Sequence, residues 1–243
     1  MIKDGEKINE EGLISFLMIG QSNMAGRGEF GEVEEIENKE CFMLRMGRWQ
    51  TMSEPINPDR SIFKGKFHSG ISLGASFADN IQKKLDTKVG LIPCADGGTK
   101  LDEWMPGTVL FDHAVMMASL AKRTSALAGV IWHQGESDCH NDSDVNEYEK
   151  KFVTFLKELR RALGDENLPV IIGEISENTD HTWGIYDRAP KLNKVLHGVA
   201  DADPFCGIVR AAELPLKPDG LHFNSASLRI LGERYAEKYL SLL

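Results

Sequence analysis

Five short apolar runs, each cut off by glycine or polar residues, alternate along the chain with longer stretches in which apolar side chains recur every third or fourth position. The runs cover residues 13–19, 88–95, 127–132, 169–173 and 205–209. Runs of this length, apolar on successive positions, predict strands covered on both faces. Between them, Leu73, Phe77, Ile81 and Leu85 recur every fourth residue in a helix opened by Ser72. A Met- and Ala-rich helix is predicted over 111–123. A long one follows, started by Asp142 or Ser143, with Tyr148, Phe152, Phe155, Leu156, Leu159 and Leu163 on its inner face and Gly164 past its end. Helix signals return over 186–199 and 225–242. This alternation predicts an α/β fold, a parallel sheet with right-handed crossovers and helices on both faces.

Two stretches break the alternation. Residues 27–57 carry short alternating pieces around Phe42-Met43-Leu44 and Trp49-Gln50-Thr51-Met52, read as a loop with a small hairpin placed to wall one side of a site. Residues 55–67 are irregular. The 243 residues suit one domain spanning 1–243, with no internal repeat or low-complexity linker.

The formal charge of −9 argues against nucleic-acid or anionic-membrane partners. No run approaches the roughly 18 apolar residues of a membrane span. The opening twelve residues lack the pattern of a secretory leader. Cys41, Cys94, Cys139 and Cys206 are scattered without a CxxC pair, so a reduced, cytoplasmic setting is expected.

Candidate chemistry lies at the carboxyl ends of the predicted strands, where open α/β proteins place their ligands. The first run ends in Gly20-Gln21-Ser22-Asn23, a serine on a turn, which suits either a nucleophile or a helix cap. A serine hydroxyl needs a base within hydrogen-bond reach, and the base needs a partner to fix its tautomer. Asp219-Gly220-Leu221-His222 offers both, although Pro218-Asp219-Gly220 is also a strong turn signal. Oxyanion donors are available in the Ser22 N–H, the backbone of Gly97-Gly98-Thr99 and the Gln134 side chain. His133, Glu136, Asp138, Cys139 and His140 cluster, but without HExxH or paired thiolates, so no metal site is expected. The P-loop lysine and the GxSxG elbow are both missing around Ser22.

Together, Gly20-Gln21-Ser22-Asn23-Met24-Ala25-Gly26, Gly97-Gly98-Thr99, Trp132-His133-Gln134-Gly135-Glu136-Ser137-Asp138 and Asp219-Gly220-Leu221-His222-Phe223 resemble the SGNH hydrolase superfamily, in its carbohydrate acetylesterase branch. That branch holds sialic acid acetylesterase-type domains and acetylxylan esterases. The resemblance implies a flavodoxin-like three-layer α/β/α sandwich with a central, mainly five-stranded parallel sheet. It implies Ser22 as nucleophile, His222 as base, Asp219 as its orienter, and Ser22, Gly98 and Gln134 in the oxyanion hole. Gln21, Asn23 and Glu136 stand in support, Glu136 being a second contender for orienting the histidine. The implied reaction removes acetyl groups from a carbohydrate substrate without a cofactor. Trp104 and Trp183 are candidate platforms for a sugar ring, with buried packing as the alternative. The rival readings are a lipase-like or thioesterase member of the superfamily and a carbohydrate-binding protein without turnover.

Overall fold

The computed structural model describes residues 12–58 and 68–243. The sequence readings of the amino terminus and of most of the irregular 55–67 stretch lie outside the described residues. Seven strands form one sheet: β1 (Leu13–Gly20), β2 (Cys41–Arg45), β3 (Arg48–Thr51), β4 (Lys88–Pro93), β5 (Ala126–His133), β6 (Val170–Gly173) and β7 (Cys206–Val209), in the order β3-β2-β4-β1-β5-β6-β7. Only β3 runs antiparallel to its neighbour. The five apolar runs form the contiguous block β4-β1-β5-β6-β7. The hairpin within 27–57 is β2-β3, and it extends the sheet instead of walling a site. Its first strand pairs parallel with β4, Phe42 opposite Gly90. Cys41, Phe42, Met43 and Leu44 are all buried, so β2 needs cover on both faces, and only a place in the sheet supplies it.

Among the described residues, six α-helices complete the layers: α1 (Ser22–Ala25), α2 (Leu73–Leu85), α3 (Val109–Ala121), α4 (Asp142–Leu163), α5 (Ala189–Ala202) and α6 (Ser225–Leu240). Side chains of β1 alternate between the two cores this creates. Leu13, Leu17 and Ile19 pack with α3, α4 and α5, whereas Phe16 and Met18 pack with α2 and α6. Every inner-face residue named for α4 is buried. Its cap is Asn141 instead of Asp142 or Ser143, because the Asn141 side chain reaches the Asp144 N–H at 2.9 Å. Ser72 caps α2 as read from the sequence. Helix α5 begins three residues later than predicted, with Pro190 in the first turn, where a missing N–H leaves no helical bond unmade. All four cysteines are buried free thiols.

Because β4, β1 and β5 are neighbours, the loops at their carboxyl ends emerge side by side. Gly20 sets how tightly they meet. Its φ is +132°, and a Cβ there would lie 2.1 Å from the His133 carbonyl oxygen. The next residue then donates its N–H to that same oxygen at 2.9 Å, while the Gly20 carbonyl accepts from Asp96 N. A Gly20→Ala substitution meets both backbone strain and a clash with immovable main chain. It is expected to lower stability by about 3 kcal/mol in urea denaturation.

Candidate active site

Ser22, first residue of α1, lies within 2.9 Å of His222 Nε2. On the other side of the ring, Nδ1 is 2.9 Å from the Asp219 carboxylate. An ionised carboxylate only accepts, so Nδ1 carries the proton and Nε2 is left to accept from the serine hydroxyl. The other Asp219 oxygen accepts the N–H groups of Leu221 and His222, both at 2.9 Å, so one turn fixes carboxylate and ring together. Burial by itself raises the Asp219 carboxyl, but the hydrogen bonds from His222 and Leu221 outweigh it and hold the group below its ordinary range. Burial lowers the His222 imidazole, with Arg27 and Lys217 adding to the effect and Asp219 opposing it.

Asn23 ties this row to the rest of the site. Its Nδ2 donates to Glu136 at 2.6 Å, and its Oδ1 accepts the Phe223 N–H at 3.1 Å. Glu136 therefore serves the serine turn through Asn23, and the carboxylate on His222 is Asp219. Burial drives the Glu136 carboxyl above the usual range, against the lowering effect of the Asn23 bond. Beside it, burial pushes His133 down to about 3, so that ring is neutral. Tyr235 donates its hydroxyl to the Trp132 carbonyl, which leaves it to accept from His133 Nδ1 at 3.0 Å.

The groups expected to serve as oxyanion donors divide differently from the sequence reading. Gly98 has φ +76°, a conformation that glycine adopts without strain, and no atom lies within 4 Å of where its Cβ would stand. Ser22 and Gly98 both line a cavity of ≈470 Å³. Gln134 does not. It is wholly buried, and its two amide hydrogens are shared among three acceptors, Asp138 Oδ2 at 2.5 Å, the Thr99 carbonyl at 2.9 Å and Gln21 Oε1 at 3.2 Å, while its oxygen accepts from the Tyr148 hydroxyl at 2.7 Å. With its donors consumed inside the protein, Gln134 has none to offer an oxyanion, which corrects its expected role. Gln21 replaces it at the cavity wall. The Gln21 Oε1 accepts from Gln134 Nε2, Gly135 N and Ser137 N at 3.2 to 3.3 Å, so the amide is oriented and its NH2 end is the one left over.

Trp104 is likewise corrected. It is 0% exposed, packed edge-on against Trp132 with ring centroids 5.6 Å apart, and donates its Nε1–H to Thr99 Oγ1. Trp183 is 39% exposed and lines the cavity, with its Nε1–H on the Asp219 carbonyl at 2.7 Å. Arg27, Lys100 and His140 also line the cavity; the sequence reading leaves out Arg27 and Lys100 and has His140 only in the possible metal cluster. Asp138 was noted only as part of a possible metal cluster. Among the described residues, no group of three or more His, Cys, Asp or Glu side chains is arranged to hold a metal ion. Asp138 instead accepts the Leu101 N–H and the Gln134 amide, and burial raises its carboxyl to about 6 against those bonds. The signal for this network was the run from His133 to Asp138, six residues of which five are polar and all six are buried.

An α/β/α sandwich with this constellation at the carboxyl edge has the architecture of the SGNH hydrolases. The chain matches the family described as carbohydrate esterase, sialic acid-specific acetylesterase, over residues 13–241. It belongs to that family, and it is a carboxylic ester hydrolase. A probable carbohydrate esterase of Arabidopsis thaliana is 32% identical over 93% of this chain and 90% of its own length. A crystal structure from that plant, 30% identical, superimposes with a TM-score of 0.83 over 95% of this chain and 98% of the other. The structure of NanS, at 16% identity, shares the fold with a TM-score of 0.75 over 97% of this chain and 98% of its own.

Removing the Asn23 amide leaves the buried Glu136 without its bond, and Glu136 Oε2 already has no partner. Asn23→Ala is expected to cost about 2 kcal/mol of stability at neutral pH. Because the Asn23 bond lowers a carboxyl that burial raises, the variant takes up its Glu136 proton at higher pH than the wild type does. The stability gap therefore widens as pH rises through that range and narrows in acid, which urea titrations at several pH values would read.

Proposed function

We propose that the protein is a serine esterase that removes O-acetyl groups from carbohydrates through an acetyl-serine intermediate. The observation that carries the reading is the unbroken hydrogen-bonded row from Asp219 through His222 to Ser22, opening on the cavity. Ser22 Oγ attacks the ester carbonyl as His222 Nε2 takes its proton, and the Asp219 carboxylate stabilises the imidazolium. The tetrahedral oxyanion is held by the N–H groups of Ser22 and Gly98 and by the Gln21 side-chain amide. Collapse breaks the bond to the sugar oxygen, which leaves with the proton from Nε2. A water molecule then attacks the acetyl-serine, again through His222, releasing acetate and restoring the Ser22 hydroxyl. Water is the only co-reactant the balance requires.

Trp183 supports the carbohydrate half of the reading. Its partly exposed indole lies at the cavity wall, and such a face stacks against the apolar side of a sugar ring. The membership of a carbohydrate esterase family points the same way.

Hydrolysis of p-nitrophenyl esters from acetate to octanoate, by wild type and by Ser22→Ala in parallel, tests the reading. Acetate is expected to be cleaved best, and the variant to lose roughly four to six orders of magnitude in kcat. Preference for octanoate, or a variant with its rate intact, would contradict it. The pH profile supplies a second check. Deprotonated His222 is the active form, so kcat/KM rises with pH and levels off, its inflection below about 6.5. Arg27→Gln removes a positive charge that disfavours the imidazolium, so the inflection moves to higher pH.

A further inference from the structure

Gln21 is well placed to donate only if its amide is kept the right way round, and an amide has two nearly isosteric orientations. The Gly135 and Ser137 N–H groups favour one of them directly, and a third donor to the same oxygen comes from one layer deeper. Gln134 presents its NH2 to Gln21 Oε1, but Gln134 faces the same choice, and its partners settle it: Thr99 O and Asp138 on one side, the Tyr148 hydroxyl on the other. A hydroxyl can donate or accept. A carboxylate and a backbone carbonyl can only accept, so Asp138 and the Thr99 carbonyl together polarise the chain, Asp138 through the shorter contact. The same carboxylate also takes the Leu101 N–H at 3.1 to 3.2 Å, two residues past Thr99, whose carbonyl Gln134 holds. Asp138 and Gln134 are 4% and 0% exposed, so water cannot stand in for either.

We propose that Asp138 is a positioning residue of the oxyanion hole, helping to fix the Gln21 amide through Gln134 and the Gly98 loop through Leu101 and Thr99. It touches no substrate. The inference rests on the esterase reading above, with Gln21 as a donor, and deepens it. It makes a specific demand, that both Asp138 oxygens be acceptors. An asparagine at this position must turn its own NH2 toward either the Leu101 N–H or the Gln134 amide, setting donor against donor.

The test is a double-mutant cycle on p-nitrophenyl acetate with Asp138→Asn, Gln21→Ala and both together, melting temperature being the folding control. Gln21→Ala is expected to lower kcat by about 10²-fold, the scale of losing one oxyanion donor. Asp138→Asn should lower kcat by about 30-fold with KM within about threefold, since the hole acts on the transition state and not on ground-state binding. In the Gln21→Ala background the same substitution should cost no more than about fivefold, the portion exerted through the Gly98 loop. Losses that multiply in full would overturn the inference and leave the esterase reading standing. Gln21→Ala with wild-type kcat would overturn the donor assignment and the inference together, and activity unaffected by Ser22→Ala would overturn the esterase reading itself. If Asp138→Asn does not fold, Tyr148→Phe, which removes the other anchor of Gln134, carries the cycle. It should lower kcat by about fivefold alone and have almost no effect beside Gln21→Ala, and full multiplication would again contradict the inference.

Discussion

One buried side-chain amide holds together residues two hundred positions apart. Asn23 receives the Phe223 N–H on its oxygen and gives its own N–H to Glu136, so the serine turn, the β5 loop and the turn before α6 share a single anchor. Without it, the contact between Ser22 and His222 would join two turns that no sheet pairing aligns. The sheet brings the β4, β1 and β5 loops to one edge through parallel register, but the histidine arrives on a separate segment after β7. Asn23 supplies register that the sheet does not, together with the bonds from Lys217 to the Arg27 carbonyl and from Ser225 to the Glu29 carbonyl farther along.

The consequence is a site whose floor is polar and buried. Gln21, His133, Gln134, Glu136 and Asp138 are all buried, in a region where unpaired polar groups are costly and paired ones are stiff. Burial raises the carboxyls of Glu136 and Asp138, so ionising either one costs the folded state stability. Such an arrangement does not help the core. It suits a catalyst that must have its donors aimed before charge develops, so that no reorganisation is needed at the transition state.

The fold was largely legible because each element carried its own period. The runs ending at Ile19, Ala95 and Trp132 could hardly be anything but covered strands, and Gly164 marked the end of α4 directly. The hairpin's place was not, since pairing Phe42 with Gly90 depends on a partner almost fifty residues away. The members of the hydrogen-bonded row were legible by type and position, as Ser22, Asp219 and His222 each sit on a turn. What failed was orientation and depth. Gln134 and Gln21 carry the same chemical group, and only the surrounding acceptors, Asp138 and the Thr99 carbonyl among them, decide which amide points into protein and which into the cavity. Trp104 and Trp183 differ in the same way. One finds Trp132 to pack against and the other does not, a distinction held in tertiary contacts and absent from local pattern.

The central claim is that chemistry passes through a covalent bond at Ser22. The most direct measurement is peptide mass spectrometry of protein quenched in acid while turning over p-nitrophenyl acetate, whose good leaving group speeds the first step relative to the second. The account predicts one added acetyl group on the peptide containing Ser22. Turnover with no adduct there, or with the acetyl group on another residue, would contradict it.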